Sequence, residues 1–322
     1  MENSANNTRK FYDIGIVGGG PAGLTAAIYC LRDNKNVILF DKNYEFGGQI
    51  LNSARVENIP GFVSISGIDF IEQMTAQIES IPSKQFTGLT ETEVVNIRNA
   101  DNWLYKIEDN AGKLYYVKKV IIAAGSEYRR LGVEGESELV GRGISFCSTC
   151  DGPFCAGKKV AVIGGGNSAL TEALELSRFA ASITIIQNLS CLTAEESLCN
   201  KVKQDDKISI RYNAIVERFC EKDGAVGVCV KCEETNPVHL APEFFDNVFI
   251  AVGMRSNNDF AKNVMASTKD GYIYTTTAYG VYIAGDCLSK DVKQVVTACG
   301  DGAQAAVLAC RELNAEENLN HS

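Results

Sequence analysis

The feature that most constrains this chain is a glycine-rich turn that occurs twice, each time between a short apolar strand and a helix. The copies are Gly18-Gly-Gly-Pro-Ala-Gly23 and Gly164-Gly-Gly-Asn-Ser-Ala169. In each copy the next strand ends 23 positions after the first glycine, at Asp41 and at Gln187. A strand, a G-x-G-x-x-G turn, a helix and a second strand form the βαβ unit that binds dinucleotides. The sequence therefore predicts two related nucleotide-binding folds that arose by internal duplication.

The two copies are predicted to be nested rather than consecutive. Two similar apolar strands end in glycine, at residues 120–125 and 248–253, and they mark where the chain leaves the first domain and returns to it. A late strand at 280–286 and a helix at about 298–313 complete the first domain. We therefore predict an α/β protein of two nested Rossmann-like domains: residues 1–124 with 254–322 form the outer one, and residues 125–253 form the insertion.

Composition excludes several classes of function. The net charge of −9 argues against a nucleic-acid-binding protein, which needs a basic surface. Residues 1–10 are polar, unlike a signal peptide, and no apolar run reaches the roughly 18 residues of a membrane helix. We therefore expect a cytoplasmic protein without nucleic-acid or membrane partners.

One pair among the twelve cysteines has a distinctive neighbourhood. In a reducing compartment most cysteines stay as free thiols and serve as small apolar core residues. The segment Cys147-Ser-Thr-Cys150-Asp151 differs, because a Cys-x-x-Cys at a helix start can form and break a disulfide. Asp151 can donate or accept the thiol proton. Histidine-centred catalysis is not expected, since the chain has only His239 and His321.

The other cysteines leave two alternatives open. Cys229 and Cys232 form a second Cys-x-x-Cys, which together with the first would make a zinc site. They lie in an apparent strand, where positions three apart point to opposite faces, so we expect structural cysteines and no metal. Cys155 is either a resolving thiol for the redox pair or a core residue, and the second is favoured.

Two acidic residues indicate which nucleotide the outer domain binds. The first turn brings backbone N–H groups to a pyrophosphate at a helix N-terminus, and Asp41 can accept the ribose hydroxyls. Gly285-Asp286 follows the late strand, and in two-domain flavoproteins such an aspartate holds the ribityl–pyrophosphate part of FAD. Together with the inserted second unit, this combination predicts FAD in the outer domain.

These motifs resemble the low-molecular-weight thioredoxin reductases along nearly the whole chain, from about residue 12 to 313. The shared segments are Gly18-Gly-Gly-Pro-Ala-Gly23, Gly47-Gly-Gln-Ile50, Glu57-Asn-Ile-Pro-Gly61, Ile122-Ala-Ala-Gly125, Cys147-Ser-Thr-Cys-Asp-Gly152, Gly164-Gly-Gly-Asn-Ser-Ala169 and Gly285-Asp286.

The resemblance implies a set of roles. Cys150 faces the flavin, Cys147 attacks the disulfide of thioredoxin, and Asp151 donates and accepts protons. It also implies a homodimer, and a rotation of the inserted domain that presents the cysteines first to flavin and then to thioredoxin. The FAD contacts it implies are Gly18, Gly20, Pro21, Ala22, Asp41, Gly48, Gln49, Asn58, Gly125, Asp286, Gln294 and Val295.

One departure from the family pattern bears on the electron donor. NADPH-using members follow the second-unit strand with His-Arg-Arg-x-x-x-Arg, whose arginines hold the 2′-phosphate. Here the segment reads Gln187-Asn-Leu-Ser-Cys-Leu-Thr193, so Asn188, Leu189 and Thr193 replace the arginines. An NADH enzyme would need an acid near Gln187, and none is present. The chain therefore resembles the ferredoxin-dependent flavin thioredoxin reductases, and we expect ferredoxin as donor and thioredoxin as acceptor.

Three alternatives remain at this stage. The first is an NADPH-dependent thioredoxin reductase with a displaced cation site, and the second is an FAD-dependent dithiol oxidase. Known oxidases of this superfamily carry His after the second cysteine, where this chain has Asp151. The third and least favoured is a non-enzymatic redox sensor. Ferredoxin docking would need local basic groups such as Arg129-Arg130 or Lys158-Lys159, which are otherwise ordinary solvated surface.

Overall fold

The structure, a computed structural model, describes residues 10–53, 55–82, 85–100, 104–232, 238–239, 241–268 and 271–320. The chain separates into two compact units. Unit 1 contains the described residues up to Glu127 and from Arg255 onward, and unit 2 is Tyr128–Met254. The expected boundaries, after residues 124 and 253, differ from these by three residues and one residue. His321 and the side chains of Cys232 and His239 lie outside what the structure describes.

Short strands dominate both units. The strands, in chain order, are β1 Phe11–Val17, β2 Val37–Phe40, β3 Phe86–Leu89, β4 Val94–Asn99, β5 Tyr105–Asp109, β6 Leu114–Ile122, β7 Ser126–Tyr128, β8 Ile144–Ser145, β9 Lys159–Ile163, β10 Ser182–Ile186, β11 Ile208–Arg211, β12 Ala214–Lys222, β13 Ala225–Cys232, β14 Val238–His239, β15 Glu243–Phe245, β16 Asn247–Ile250, β17 Met254–Ser256, β18 Met265–Ser267, β19 Ile273–Thr276 and β20 Val281–Ile283. β7 and β17, which carry the chain between the units, pair with each other.

The helices occur mainly at strand ends. They are α1 Pro21–Arg32, α2 Gly67–Ser80, α3 Glu136–Leu139, α4 Ser148–Asp151, α5 Asn167–Leu176, α6 Glu196–Gln204 and α7 Val295–Asn320, with 3₁₀ turns at Gly48–Asn52, Gly152–Cys155, Asp259–Ala261 and Gly285–Cys287. Among the described residues, no helix is long and apolar enough to cross a membrane.

Unit 1 is built on a sheet in which β6 has two different neighbours along one edge. Its carboxyl half pairs with β20 in parallel, and its amino half pairs with β5 in the antiparallel hairpin β4–β5. On its other edge β6 continues through β1 and β2 to β3, all in parallel. All four residues of β2 are buried, as expected for a parallel strand that is covered on both faces. α1 packs against α7 on one of these faces.

Unit 2 repeats the same plan on a smaller scale. Its parallel sheet has the order β11-β10-β9-β16-β8, and α5 connects β9 to β10. A separate antiparallel sheet, β12-β13 with β14 and β15, encloses a second hydrophobic cluster against this sheet. The chain therefore carries two β-α-β units of one design, β1-α1-β2 and β9-α5-β10, as the doubled motif predicts.

The first glycine of each turn is in an equivalent position. Gly18 has φ 107° and Gly164 has φ 130°, in the region that favours glycine. A Cβ on Gly18 would lie 2.2 Å from the carbonyl oxygen of Ala123, and one on Gly164 would lie 2.5 Å from that of Ala251. Both carbonyls belong to the apolar segments at 120–125 and 248–253, so each turn is wedged against the strand that ends beside it.

The end of α7 differs from the sequence expectation, whereas the start of α1 follows a simple rule. α1 begins at Pro21, whose fixed φ suits the first turn of a helix. α7 runs to Asn320 rather than to about 313, because its polar last turns are held by lysines from unit 1. The buried Lys119 pairs with Glu312 and Glu316, and Lys35 pairs with Glu317.

Candidate active site

The redox motif forms a closed disulfide at the start of α4. Cys147 and Cys150 are bonded, with their Cα atoms 5.3 Å apart. Cys147 is the N-cap residue, and its Sγ accepts a hydrogen bond from the Cys150 backbone N–H at 3.1 Å. Cys150 is exposed and Cys147 is half-buried. The pair that the sequence singled out is therefore in a geometry from which a disulfide can be reduced and re-formed.

Asp151 is connected to this disulfide through a serine. The hydroxyl of Ser145 donates to Oδ2 of Asp151, and its oxygen accepts the backbone N–H of Cys147 at 3.1 Å. The Ser145 hydroxyl thus bridges the Asp151 carboxyl group and the backbone of Cys147. These hydrogen bonds hold the Asp151 carboxyl group near the redox motif, where it can exchange protons with the cysteines once the disulfide is reduced.

Sequence reasoning missed a second carboxylate at this motif. Glu175, in the last turn of α5, accepts the hydroxyls of Ser148 at 2.7 Å and of Thr149 at 3.2 Å. These are the two residues between the cysteines. The only sequence signal would have been the i, i+3 spacing of Glu172 and Glu175 on α5, which places both on one helix face.

Two other cysteines that the sequence analysis considered, Cys155 and Cys229, are core residues of unit 2. Cys155 is fully buried, and this burial raises the pKa of its thiol to about 11. Cys229 is buried in β13, and burial also raises the pKa of its thiol. Among the described side chains no group of three or more potential metal ligands comes together.

The first glycine-rich turn surrounds the amino end of α1. Gly20 is the N-cap residue, and no side chain caps this helix, so its first N–H groups are available to an anion. Asp41 is buried, and its Oδ2 accepts the Gly19 backbone N–H at 2.7 Å. Its other oxygen accepts the backbone N–H of Asn43 at 2.8 Å. The carboxylate thereby has a fixed orientation beside the turn.

Other residues expected to contact FAD pack around the same turn. The Gly47 N–H donates to the Gly19 carbonyl at 2.8 Å. A Cβ on Gly48 would lie 3.5 Å from the Cα of Gly20, and one on Gly285 would lie 2.9 Å from the Cβ of Ala22. The turn at Gly285–Cys287, which contains Asp286, is therefore placed against the amino end of α1.

A second group lies where the loop after the first 3₁₀ turn meets the start of α7. Asn58 Nδ2 donates to Gln294 Oε1 at 3.1 Å, and Val295 begins the helix. Gln49 follows Gly48 and therefore belongs to the first group, and its side chain donates to the carbonyl of Ser126, the residue that follows Gly125. The expected FAD residues that are far apart in sequence thus lie together within unit 1, in two groups.

The second glycine-rich turn has a different surrounding. Gln187, in the position of Asp41, is buried, and its Nε2 donates to the Cys191 carbonyl at 2.9 Å. A Cβ on Gly165 would lie 2.4 Å from the Gln187 side chain. Thr193 donates its backbone N–H to the Gly165 carbonyl at 2.8 Å. The segment after β10 is therefore folded back onto the turn.

The same segment also reaches the start of α5. The Glu195 backbone N–H donates to Asn167 Oδ1 at 2.8 Å, and Asn167 Nδ2 donates to the Glu195 carboxylate at 3.2 Å. Asn188 and Leu189, which replace arginines, are exposed. From Gln187 to Glu195 the only charged side chain is thus acidic, next to the turn where a pyrophosphate would bind.

Comparison with known proteins decides the family. A family model described as pyridine nucleotide-disulphide oxidoreductase matches residues 12–302. The thioredoxin reductase of Bacillus subtilis (strain 168) is 37% identical over 302 residues, which are 92% of this chain and 93% of that protein. The chain belongs to this family, within its low-molecular-weight thioredoxin reductases.

Solved structures of thioredoxin reductases agree with this assignment. That from Streptococcus pyogenes MGAS5005 has a TM-score of 0.87 and 32% identity, covering 95% of this chain and 99% of the other. That from Giardia duodenalis has a TM-score of 0.84 and 29% identity, covering 95% and 100%. The predicted α/β fold with Rossmann-like FAD-binding architecture is confirmed.

The cofactor of these thioredoxin reductases is FAD, and unit 1 fits it. Among the described residues beyond its chain neighbours, only the Gly47 carbonyl oxygen, at 3.7 Å, lies within 4 Å of a Cβ built on Gly20, so the backbone is open to a ligand there. Oδ1 of Asp286 is buried and has no hydrogen-bond partner among the described residues. Burial raises the pKa of Asp286, although Lys290 Nζ lies 3.9 Å from this oxygen. A hydroxyl-bearing ligand would supply the missing partner.

Proposed function

We propose that this flavoprotein reduces the disulfide of thioredoxin through Cys147 and Cys150, with reduced ferredoxin as its electron donor. The observation that carries the choice of donor is the neutral segment 187–193, folded onto the second glycine-rich turn. Thioredoxin as acceptor is supported by the relatives, which are named thioredoxin reductases. A homodimer and a cytoplasmic location stay predictions.

The FAD contacts proposed are those of the two groups in unit 1. The amino end of α1 would hold the pyrophosphate, and Asp41 would accept the ribose hydroxyls. Asp286 would bind the ribityl chain through its unpartnered oxygen. When bound, FAD supplies a group that exchanges electrons singly with a one-electron carrier and in pairs with a disulfide.

The two cysteines carry the chemistry on the protein. Reduction breaks the bond between Cys147 and Cys150, and two electrons and one proton convert them to the thiolate of Cys147 and the thiol of Cys150. The thiolate of Cys147 then attacks the thioredoxin disulfide to form a mixed disulfide, which Cys150 resolves. Asp151, connected through Ser145, donates and accepts the protons. One thioredoxin consumes the electrons of two ferredoxins.

The basic residues considered for docking differ in their surroundings. Lys158 and Lys159 are bonded within unit 2, to Asn247 at 3.2 Å and to Glu243 at 2.8 Å. Arg129 and Arg130 are exposed, and in the described part of the chain neither is paired with an acid, although Arg130 lies over the Phe146 ring at 5.0 Å. We infer that Arg129 and Arg130 are the better contacts for an acidic electron carrier.

Anaerobic bleaching of the flavin absorbance tests the donor. We expect reduced ferredoxin to bleach the flavin and to support thioredoxin reduction, and NADPH and NADH to do neither at useful rates. The preserved Gly164–Ala169 turn and the uncapped amino end of α5 favour NADPH dependence as the second candidate. Rapid bleaching by micromolar NADPH with turnover of thioredoxin would select that candidate.

A further inference from the structure

Glu175 holds the short segment that connects the two redox cysteines. Its Oε2 accepts the hydroxyl of Ser148 at 2.7 Å and that of Thr149 at 3.2 Å. Ser148 is only 4% exposed, so its hydroxyl has exchanged water for this carboxylate. A charge-assisted hydrogen bond of this kind is about twice as strong as a neutral one. The connecting segment is therefore tied to α5 by a single acidic oxygen.

Two carboxylates thus flank the disulfide, by different routes. Asp151 follows Cys150 directly and reaches the backbone of Cys147 through Ser145. Glu175 comes from another helix and contacts the residues between the cysteines. Asp151 is placed to exchange protons, whereas Glu175, which accepts two hydroxyl groups, is placed to act as a fixed charge.

A second glutamate, Glu172, lies beside Glu175 on the same helix, in different surroundings. Glu172 lies one turn earlier on α5, and its Oε2 is buried without a hydrogen-bond partner in the described part of the chain. Burial, and secondly the charge of Glu175, raise the pKa of Glu172 to about 8. At neutral pH Glu172 is therefore mostly protonated. The two glutamates of this helix face therefore differ in surroundings: Glu175 has two hydroxyl donors, and Oε2 of Glu172 has none among the described residues.

We propose that Glu175 is a positioning residue that makes the Cys147–Cys150 dithiol a stronger reductant. Reduction breaks the S–S bond with two electrons, and uptake of one proton leaves a thiol and a thiolate. A carboxylate fixed on the connecting segment disfavours the thiolate by like-charge repulsion. A disulfide becomes a strong oxidant when its reduced form is stabilised, so disfavouring the reduced form has the opposite effect.

This inference rests on the proposed function only in assigning the relay to these two cysteines. When the dithiol is more reducing, its exchange equilibrium with another protein's disulfide lies further towards the reduced form of that protein. The donor of the electrons does not enter, so a wrong assignment of ferredoxin would leave the effect of Glu175 unchanged.

The test is the redox equilibrium of the disulfide in the purified holoprotein. Wild type, Glu175→Gln and Glu175→Ala are equilibrated anaerobically at pH 7 with glutathione buffers of defined ratio. Free thiols are then trapped by alkylation, and the oxidised fraction of the Cys147–Cys150 peptide is measured by mass spectrometry. Glu138→Gln is the matched control, because Glu138 is an exposed acid of the same unit.

Glu175→Gln keeps an oxygen that can accept both hydroxyls but removes the charge. We expect it to shift the equilibrium constant about tenfold towards the dithiol, which is about 30 mV for this two-electron couple. Glu175→Ala should shift it at least as far, and Glu138→Gln should stay within twofold of wild type. A Glu175→Gln equilibrium within twofold of wild type, or shifted towards the disulfide, overturns the proposal. So does a shift confined to Glu175→Ala, because hydrogen bonding alone would then account for it.

Discussion

Asp41 accepts the backbone N–H of Gly19 through its Oδ2 at 2.7 Å, beside the turn that leads into α1. In the duplicated unit the equivalent Gln187 packs on Gly165 and donates instead to the carbonyl of Cys191. The first turn therefore lies beside a buried carboxylate that can accept hydrogen bonds from a ribose. The second turn lies beside a neutral side chain that is already hydrogen-bonded to the loop that follows it. This difference predicts that only unit 1 retains a nucleotide.

We expect Asp41→Ala to lose FAD during purification and Gln187→Ala to retain it. Charge-assisted hydrogen bonds of a carboxylate are worth about 1.5–3 kcal/mol, so FAD affinity should fall about 10-fold to 100-fold. The measurement is the ratio of flavin absorbance to protein in the two purified variants, followed by titration of FAD into the stripped protein. Equal flavin content would contradict the assignment of the nucleotide to unit 1 alone.

Replacement of either redox cysteine should abolish thioredoxin reduction and leave FAD bound. Cys147→Ser and Cys150→Ser each remove one sulfur of the disulfide, and neither residue belongs to the proposed FAD contacts. Cys229→Ser is the control, because Cys229 is a buried free thiol in β13. Activity is followed with chemically reduced enzyme and oxidised thioredoxin, so that no electron donor is assumed. Thioredoxin reduction at the wild-type rate by either redox variant would refute the relay.

Local patterns predicted most of the elements that build the two sites. The units β1-α1-β2 and β9-α5-β10 follow from apolar periodicity and glycine spacing, which act over some 25 residues. The contact of Glu175 with Ser148 spans 27 positions and depends on how α4 packs against α5, so no local pattern predicts it. The end of α7 was misplaced for a similar reason. Its partners Lys35 and Lys119 are some 200 or more residues away in the sequence.

The link between Asn58 and Gln294 shows what a resemblance adds to a pattern. These residues are 236 positions apart, and their side chains meet at 3.1 Å. Nothing in the sequence around either residue indicates that they are close, but the family resemblance implies that both contact FAD. Conversely, residues 187–193 lack the arginines that the resemblance leads one to expect, so the way this segment folds onto the turn could not be taken from the resemblance.

Glu172→Gln should stabilise the protein increasingly as the pH rises from about 5 to about 8. Burial raises the pKa of Glu172 to about 8 in the folded state, whereas the unfolded chain has an ordinary glutamate near 4.3. Between these values the unfolded state gains from ionisation and the folded state does not, so wild type loses stability as the pH rises through this window. The amide does not ionise and removes this loss.

The expected gain for Glu172→Gln is on the order of 4 kcal/mol at pH 8 and near zero at pH 4. It is measured as the difference in urea denaturation free energy between variant and wild type across this pH range. Glu138→Gln, at an exposed acid, should show no such dependence. A constant difference across the range would mean that Glu172 titrates normally in the folded protein.

The last prediction concerns the two exposed positions where arginines are missing. Asn188→Arg combined with Leu189→Arg should increase the affinity for NADPH about 100-fold or more, because each charge-assisted contact with the 2′-phosphate is worth about 1.5–3 kcal/mol. Both side chains point to solvent, so the larger residues can be accommodated without refolding. NADH lacks the 2′-phosphate and serves as the internal control, since its affinity should change little. Calorimetric titration of wild type and the double variant with both nucleotides measures the effect.

If neither nucleotide binds the double variant, the closed segment around Gln187 and Thr193, rather than the missing charge, excludes the nucleotide. An equal increase in affinity for NADH and NADPH would show that the introduced arginines do not contact the 2′-phosphate.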